Sequence, residues 1–179
     1  MQKHPSSLLQ QHAFQKAHDF LIAGWNCSQS VLLTVQELLD LHDPAALKAA
    51  TGFGGGIGNS GSICGALAGG VMALGLLYGR KELSEFAQKE RTYSVCAQWY
   101  DRFLNLMGGC NCCDILRVDL KDPIVRKEYW RNAQNRERCA SQVVGVAAQL
   151  LIKLIEESET VVDGEMTGIS KTSSENEGS

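Results

Sequence analysis

The chain has 179 residues, of which 44% are hydrophobic and 21% charged, and its formal net charge is -3. That length predicts one domain with a sizeable core, and so mild a charge argues against nucleic acid as a partner. Residues 1–20 contain no apolar run of signal-peptide length, which argues against that export route and makes the cytoplasm the expected location.

Capping residues and apolar spacing predict two helices at the amino-terminal end. Ser6 or Ser7 caps a first helix that runs to about Gly24, and Asn26 caps a second helix. Cys27 then lies in the first turn of the second helix, on its buried face. A short helical segment is predicted after the next proline.

A glycine-rich loop and a long apolar run occupy the middle of the chain, and residues 49–79 carry no charge. The run predicts a helix over 63–79, too short to span a membrane, which takes roughly 20 apolar residues. A dinucleotide site is disfavoured, because the segment before the glycines looks helical and no acidic residue follows at the required distance. We predict a buried core helix with Cys64 in its first turn, in which Gly65 and Gly69 allow a neighbouring helix to pack closely.

Helix-favouring composition predicts a further helix over 81–107. If it runs antiparallel to the central helix, Cys96 lies roughly level with Cys64. A loop with three more cysteines follows and must fold back if it is to meet Cys64. The residues expected on the buried face of the helix are Phe86, Tyr93, Ala97, Tyr100, Leu104 and Met107.

The chain ends with two more predicted helices and an acidic tail. The first helix covers 124–132, and the second runs from near Glu137 to near Glu157, with Cys139 in its first turn. Residues 156–179 hold seven acidic residues and one lysine, which predicts a disordered tail over 158–179 after a domain over 1–157. The expected fold is all-α, a single-domain bundle of about six helices around the glycine-rich loop and the buried small-residue helix.

Seven cysteines are unusual for a cytoplasmic protein, because a reducing compartment gives disulfides little permanence and an odd number cannot pair completely. Cys27, Cys64 and Cys139 each fall in the first turn of a predicted helix, where free N–H groups and the helix dipole stabilise a thiolate. Arg136 and Arg138 flank Cys139 and favour the same ionised form. The pattern therefore predicts either a metal or cluster site or a set of redox thiols with lowered pKa.

The segments around these cysteines resemble a known family. The sequence CGALAG, which begins at Cys64 and follows GFGGGIGNSG, is similar to the central motif of the C_GCAxxG_C_C family, described as redox-active, whose members have four separated cysteines. NCSQSVL at Cys27 and RCASQVV at Cys139 resemble the first and last of these cysteine segments. CCDILRVDL resembles the third, and its register favours Cys112. The resemblance covers about residues 20–157 and implies a redox role without a substrate.

Four thiolates from separate elements suit a two-iron or four-iron cluster. Zinc is less favoured, because its structural sites usually use closely spaced cysteine pairs, and metal-free thiol exchange stays open. Haem is not expected, since the chain has no Cys-x-x-Cys-His site. A nicotinamide cofactor is not expected either, since the dinucleotide site is disfavoured. The expected ligands or redox thiols are Cys27, Cys64, Cys112 and Cys139, with Cys96, Cys110 and Cys113 as substitutes, and the glycines expected beside a cofactor are Gly54, Gly55, Gly56, Gly58, Gly65 and Gly69.

A second hypothesis is a non-enzymatic metal-binding or accessory module. It could form a homodimer through the small-residue faces of the helix over 63–79, or attach peripherally to a membrane transporter, as the family resemblance implies. Under the first hypothesis the partner is an electron donor or acceptor, and any enzymatic activity is that of an oxidoreductase.

Overall fold

The computed structural model describes residues 7–169, with side chains described as far as residue 159. Within this range the chain forms the predicted all-α single domain, with no strand and one isolated β-bridge. A 3-10 turn at Thr51–Phe53 follows the third helix, and a π-helical segment at Ala140–Gly145 joins the last two. The α-helices are α1 (Leu8–Ala23), α2 (Cys27–Leu38), α3 (Pro44–Ala50), α4 (Gly65–Tyr78), α5 (Phe86–Met107), α6 (Cys112–Leu116), α7 (Pro123–Arg131), α8 (Ala133–Cys139) and α9 (Val146–Ile169).

The predicted caps of the first two helices are confirmed. The Ser7 side chain accepts a hydrogen bond from the N–H of Gln10, and Gly24 ends α1 in the left-handed conformation that glycine adopts easily. The Asn26 side chain accepts hydrogen bonds from two N–H groups in the first turn of α2. The alternative cap, Ser6, lies outside the described residues. These contacts fix the point where α2 begins and hence the position of Cys27.

Helix α4 is the centre of the fold and packs against α2 on one side and α5 on the other. A Cβ at Gly69 would overlap the backbone of Ser28 in α2, and a Cβ at Gly70 would overlap the ring of Trp99 in α5. The predicted close packing is therefore confirmed, but within one chain. Because α2 and α5 already occupy the faces at Gly69 and Gly70, these residues do not support the expected dimer, which stays a prediction.

The predicted buried face of α5 is also wrong. Val95, Trp99 and Phe103 are buried, whereas the expected stripe is mostly exposed, including Phe86 at 65% and Tyr93 at 62%. The Trp99 indole N–H donates to the carbonyl oxygen of Leu67 at 3.0 Å, which fixes this face against α4. Helix α5 has two apolar stripes, and only the contact with α4 decides between them.

The antiparallel arrangement of α4 and α5 also moves Cys96 from its predicted level. Thr92 of α5 bonds the carbonyl oxygen of Tyr78 at the end of α4, and Trp99 bonds Leu67 near its start. Cys96 lies between Thr92 and Trp99 in α5 and therefore opposite the middle of α4. The prediction placed Cys96 level with Cys64 because it assumed a shorter connection between the two helices. In the structure this connection runs from Gly79 to Glu85.

The carboxyl-terminal helices begin earlier than predicted. The Asn132 side chain caps α8 by accepting from the N–H of Gln134, and the helical backbone continues through the π-helical segment into α9. Cys139 is the last residue of α8, so the prediction that it opens a helix is wrong. The helix also continues to Ile169, past the predicted end near Glu157. The helix over 158–169 differs from the predicted disorder there, and the predicted disorder of residues 170–179 lies outside the described residues.

One helix among the described residues, Ala133–Glu159, is long and apolar enough to cross a membrane by length and composition. However, 61% of its most apolar stretch is buried inside the protein. That burial is typical of the core helix of a globular protein.

Candidate functional site

Four of the seven cysteines meet at one cavity of about 470 Å³. Cys27 is the first residue of α2 and Cys64 is the cap residue before α4. Cys112 is the first residue of α6, and Cys139 is the last of α8. Three of these residues are almost fully buried, and Cys27 is half-buried although its sulfur is surrounded by protein. The fold therefore brings together the four cysteines that the sequence singled out.

A short antiparallel contact aligns two of the cysteines. Ile63 and Asn111 form an isolated β-bridge, in which the Cys64 N–H donates to the carbonyl oxygen of Cys110 at 2.8 Å. The Cys112 N–H donates to the carbonyl oxygen of Ser62 at 2.7 Å. The loop after α5 thus folds back onto the residues before α4, as predicted, and this register turns Cys112 toward the cavity.

The glycine-rich loop covers one side of the cavity in an unusual conformation. Residues 55–59 all have positive φ values, including Ile57 at 59°, where a β-branched side chain is strained. Gly54, Gly55 and Gly58 line the cavity, whereas a Cβ at Gly56 would overlap Ser62 and come within 2.8 Å of the Cys112 Cβ. The loop therefore needs glycine for two reasons, the handedness of its turn and its close approach to the cysteines.

The glycines of the CGALAG segment have a packing role. A Cβ at Gly65 would overlap the sulfur of Cys27, and a Cβ at Gly69 would overlap the backbone of Ser28. Both glycines therefore hold the start of α2 against the start of α4, which keeps the Cys27 and Cys64 sulfurs near each other. Contact between Gly65 or Gly69 and a cofactor stays a prediction.

Burial dominates the electrostatics of the four thiols. It raises the pKa of Cys64 to about 12, with a smaller contribution from the neighbouring sulfur of Cys27. Burial also raises the pKa of Cys27, Cys112 and Cys139. Backbone N–H groups of Ala66 and Leu67 act in the opposite direction at Cys64 without forming a capping hydrogen bond. The expected lowering of these pKa values is therefore wrong, because loss of water outweighs the helix termini and Arg138.

The other three cysteines lie outside the cavity lining. Cys96 is half-buried in α5, where burial raises the pKa of its thiol. Cys110 lies close enough to Cys64 for their charges to interact, and its thiol also faces Tyr100. Cys113 is next to the carboxylate of Asp114, with a sulfur to oxygen distance of 3.4 Å. Their predicted role as substitute ligands stays a prediction.

An unpaired hydroxyl lies beside the thiols. The Tyr129 hydroxyl is buried and has no hydrogen-bond partner among the described residues, although Tyr129 does not line the cavity. Burial raises the pKa of Tyr129, with smaller contributions from the nearby Cys139 and Cys112. A buried hydroxyl without a partner costs free energy, and a bound acceptor would remove that cost. Sequence reasoning missed this residue, although Tyr129 and Trp130 form a conspicuous aromatic pair in the otherwise polar α7.

The four cysteines are the right type of ligand for a soft metal, but their side chains are not positioned as metal ligands. Cysteine sulfurs are the ligands that iron–sulfur clusters and zinc prefer. Yet the described residues contain no group of three or more His, Cys, Asp or Glu side chains already arranged to hold a metal ion. The cysteines are therefore suitable in type and share one cavity, but their side chains are not set in ligand geometry.

The structure is that of an all-helical domain with four cysteines around a glycine-rich loop. Sequence comparison identifies the family to which this domain belongs. Residues 25–154 match the family described as "Putative redox-active protein (C_GCAxxG_C_C)". The chain belongs to this family. A relative from Archaeoglobus fulgidus, named only "Uncharacterized protein", is 29% identical over 143 residues, which cover 75% of this chain and 87% of the relative. No solved structure gave a significant match.

Proposed function

We propose that this protein transfers electrons through a thiolate-bound metal centre of the iron–sulfur class, held by the four cysteines that line the cavity. The observation that carries the proposal is the meeting of four thiols, three from separate helices and one from the cap before α4, on one cavity. Membership of a family described as redox-active supports the class of function.

The surroundings of the thiols support a bound group. The Tyr129 hydroxyl is a donor near Cys139 and Cys112 that has no partner in the described part of the chain. Backbone N–H groups of Gly55 and Gly65 face the Cys27 sulfur. Hydrogen bonds to sulfur are a principal means by which proteins set the potential of a cluster.

Each part of the site has a separate task in this proposal. The four cysteines give up their protons when they bind the metal, which overcomes the effect of burial on their pKa. When bound, the cluster supplies one-electron chemistry. The glycine loop keeps the backbone close to the sulfurs, and Tyr129 donates a hydrogen bond to an acceptor at the centre. The cytoplasm is the proposed location, with an electron donor or acceptor as the partner.

Metal-free thiol chemistry is the second candidate, and the absence of a preformed metal-binding group in residues 7–159 favours it. In that case two of the thiols form a disulfide and pass two electrons and two protons to an acceptor. Burial counts against it, because the thiolate is the reactive form and a raised pKa keeps these thiols protonated at neutral pH.

The decisive experiment is analysis of iron, zinc, acid-labile sulfide and the visible spectrum on protein purified without oxygen. It should be repeated for Cys64→Ser, Cys139→Ser and the matched control Cys96→Ser. We expect iron and sulfide in nearly equal amounts in the wild type and in Cys96→Ser, and their loss in the two cavity variants.

Other outcomes would reject the cluster. A protein that stays metal-free after anaerobic purification and reconstitution would shift the proposal to thiol chemistry, to be tested by thiol titration before and after oxidation. Zinc without sulfide, lost in the cavity variants, would instead favour the non-enzymatic metal-binding module, including its association with a transporter.

A further inference from the structure

The cavity extends beyond the four sulfurs, and much of the rest of its lining is apolar and aromatic. The walls there come from the end of α1, the turn before α2, helices α6 and α7, and the π-helical segment. Sites for small molecules typically measure about 300–1,000 Å³ and have such walls, with a few polar groups. The residues concerned are Ile22, Trp25, Ile115, Leu116, Trp130 and Val143.

Two large apolar side chains at this cavity are exposed to water. Ile22 is 48% exposed and Trp25 is 41% exposed. Exposed apolar surface that continues into a cavity indicates a binding site more often than isolated exposed residues do. A ligand that entered the cavity would cover part of both side chains.

One charge lies in this lining. Arg136 is the only charged side chain among the described residues that line the cavity, and the other polar side chains there are Asn26, Thr51 and Asn59. Arginine binds carboxylates through paired, charge-assisted hydrogen bonds. Arg136 and the neighbouring Arg138 are both exposed, but only Arg136 lines this cavity.

We propose that the cavity binds a small, largely apolar molecule that carries one anionic group, such as an aromatic carboxylate, with its anion at Arg136 and its apolar body between Trp25 and Trp130. Only the role of this ligand rests on the proposed function, because the ligand would then lie next to the four-thiol centre; its binding depends on the cavity alone. The apolar walls supply contact area, and the single cation selects the anion.

The test is isothermal titration calorimetry of the full chain with benzoate, phenylacetate and 2-naphthoate, compared with benzyl alcohol and acetate. We expect the three aromatic acids to bind at least about tenfold more tightly than either comparison compound, since each of those lacks one of the two features. In Arg136→Gln the preference for benzoate over benzyl alcohol should disappear. Arg138→Gln, which removes the same charge nearby, should keep it.

Failure of all three aromatic acids to bind would overturn the proposal, as would equal effects of Arg136→Gln and Arg138→Gln. Trp25→Ala provides a second check, because it should weaken both benzoate and benzyl alcohol if the apolar wall contributes. The calorimetric readout requires no electron transfer. Binding in a protein that shows neither cluster nor reactive thiols would therefore reject the proposed function and keep this inference.

Discussion

The two ends of α4 differ in how much room they leave around their glycines. At the amino-terminal end, Gly65 and Gly69 lie so close to α2 that a single added carbon would overlap it. Near the other end, Gly75 has nothing within 4 Å of an added Cβ. Glycine thus allows α2 to lie close to α4 beside the cysteine cavity, whereas at Gly75 no neighbouring residue requires a glycine. This contrast indicates that the geometry of α4 is constrained where it carries Cys64.

The largest effect should come from Gly69→Ala. Because the added methyl group meets the backbone of Ser28, it cannot be relieved by a change of side-chain rotamer, and α2 must move away from α4. We expect a loss of about 3 kcal/mol or more in the free energy of unfolding, measured by chemical denaturation. A variant as stable as the wild type would contradict the close contact between Gly69 and Ser28.

Within residues 7–159, two buried tyrosine hydroxyls have no hydrogen-bond partner and offer a second contrast, since Tyr129 lies near Cys139 and Cys112 and Tyr78 ends α4. Tyr78→Phe should stabilise the protein by about 1 kcal/mol, because it removes a hydroxyl that is buried without a hydrogen bond. The reduction potential of the centre should not change.

If the cysteines hold the proposed metal centre, Tyr129→Phe should lower its reduction potential. The variant then lacks a hydroxyl that would donate to the centre, and loss of such a donor destabilises the more negative, reduced state. Potentiometric titration of both variants measures the difference. Equal potentials in Tyr129→Phe and Tyr78→Phe would show that the Tyr129 hydroxyl does not serve the centre.

A smaller gain is expected from Gly75→Ala. The site is open and helical, so alanine removes backbone freedom from the unfolded chain without a clash. The free energy of unfolding should rise by about 0.5–1 kcal/mol. A decrease in thermal and chemical stability would mean that this end of α4 is also crowded.

The smallest effect concerns the surface near the cysteine end, where α1 meets α8. Hydrogen bonds to Asp19 and then to Glu137 raise the pKa of His18 above its ordinary value. The protonated form is favoured in the folded state, so its stabilising effect is complete below about pH 6.5 and is lost as pH rises through the raised pKa. The stability difference between wild type and His18→Gln, followed by denaturation at several pH values, should shrink over that window. A difference independent of pH would contradict the ion pair.

Local signals in the sequence were sufficient to predict α1, α2 and α4. The caps at Ser7 and Asn26 predicted α1 and α2, because a cap depends only on residues within one turn. The uncharged run predicted α4 and its burial for a similar reason. The cap at Asn132 was an equally local signal that was missed, and this error misplaced Cys139 by putting the start of its helix too late.

The sequence by itself determined the helical fold, the glycine loop and the set of cysteines to consider, because periodicity, glycine content and residue type are properties of neighbouring residues. The tertiary structure alone decided which stripe of α5 is buried, since both stripes are apolar and only Trp99 fits against Gly70. It also decided which part of α4 lies opposite Cys96 and whether the pKa values of the cavity thiols are raised or lowered. Burial, which raises the pKa of Cys64, depends on residues distant in the chain that close around it.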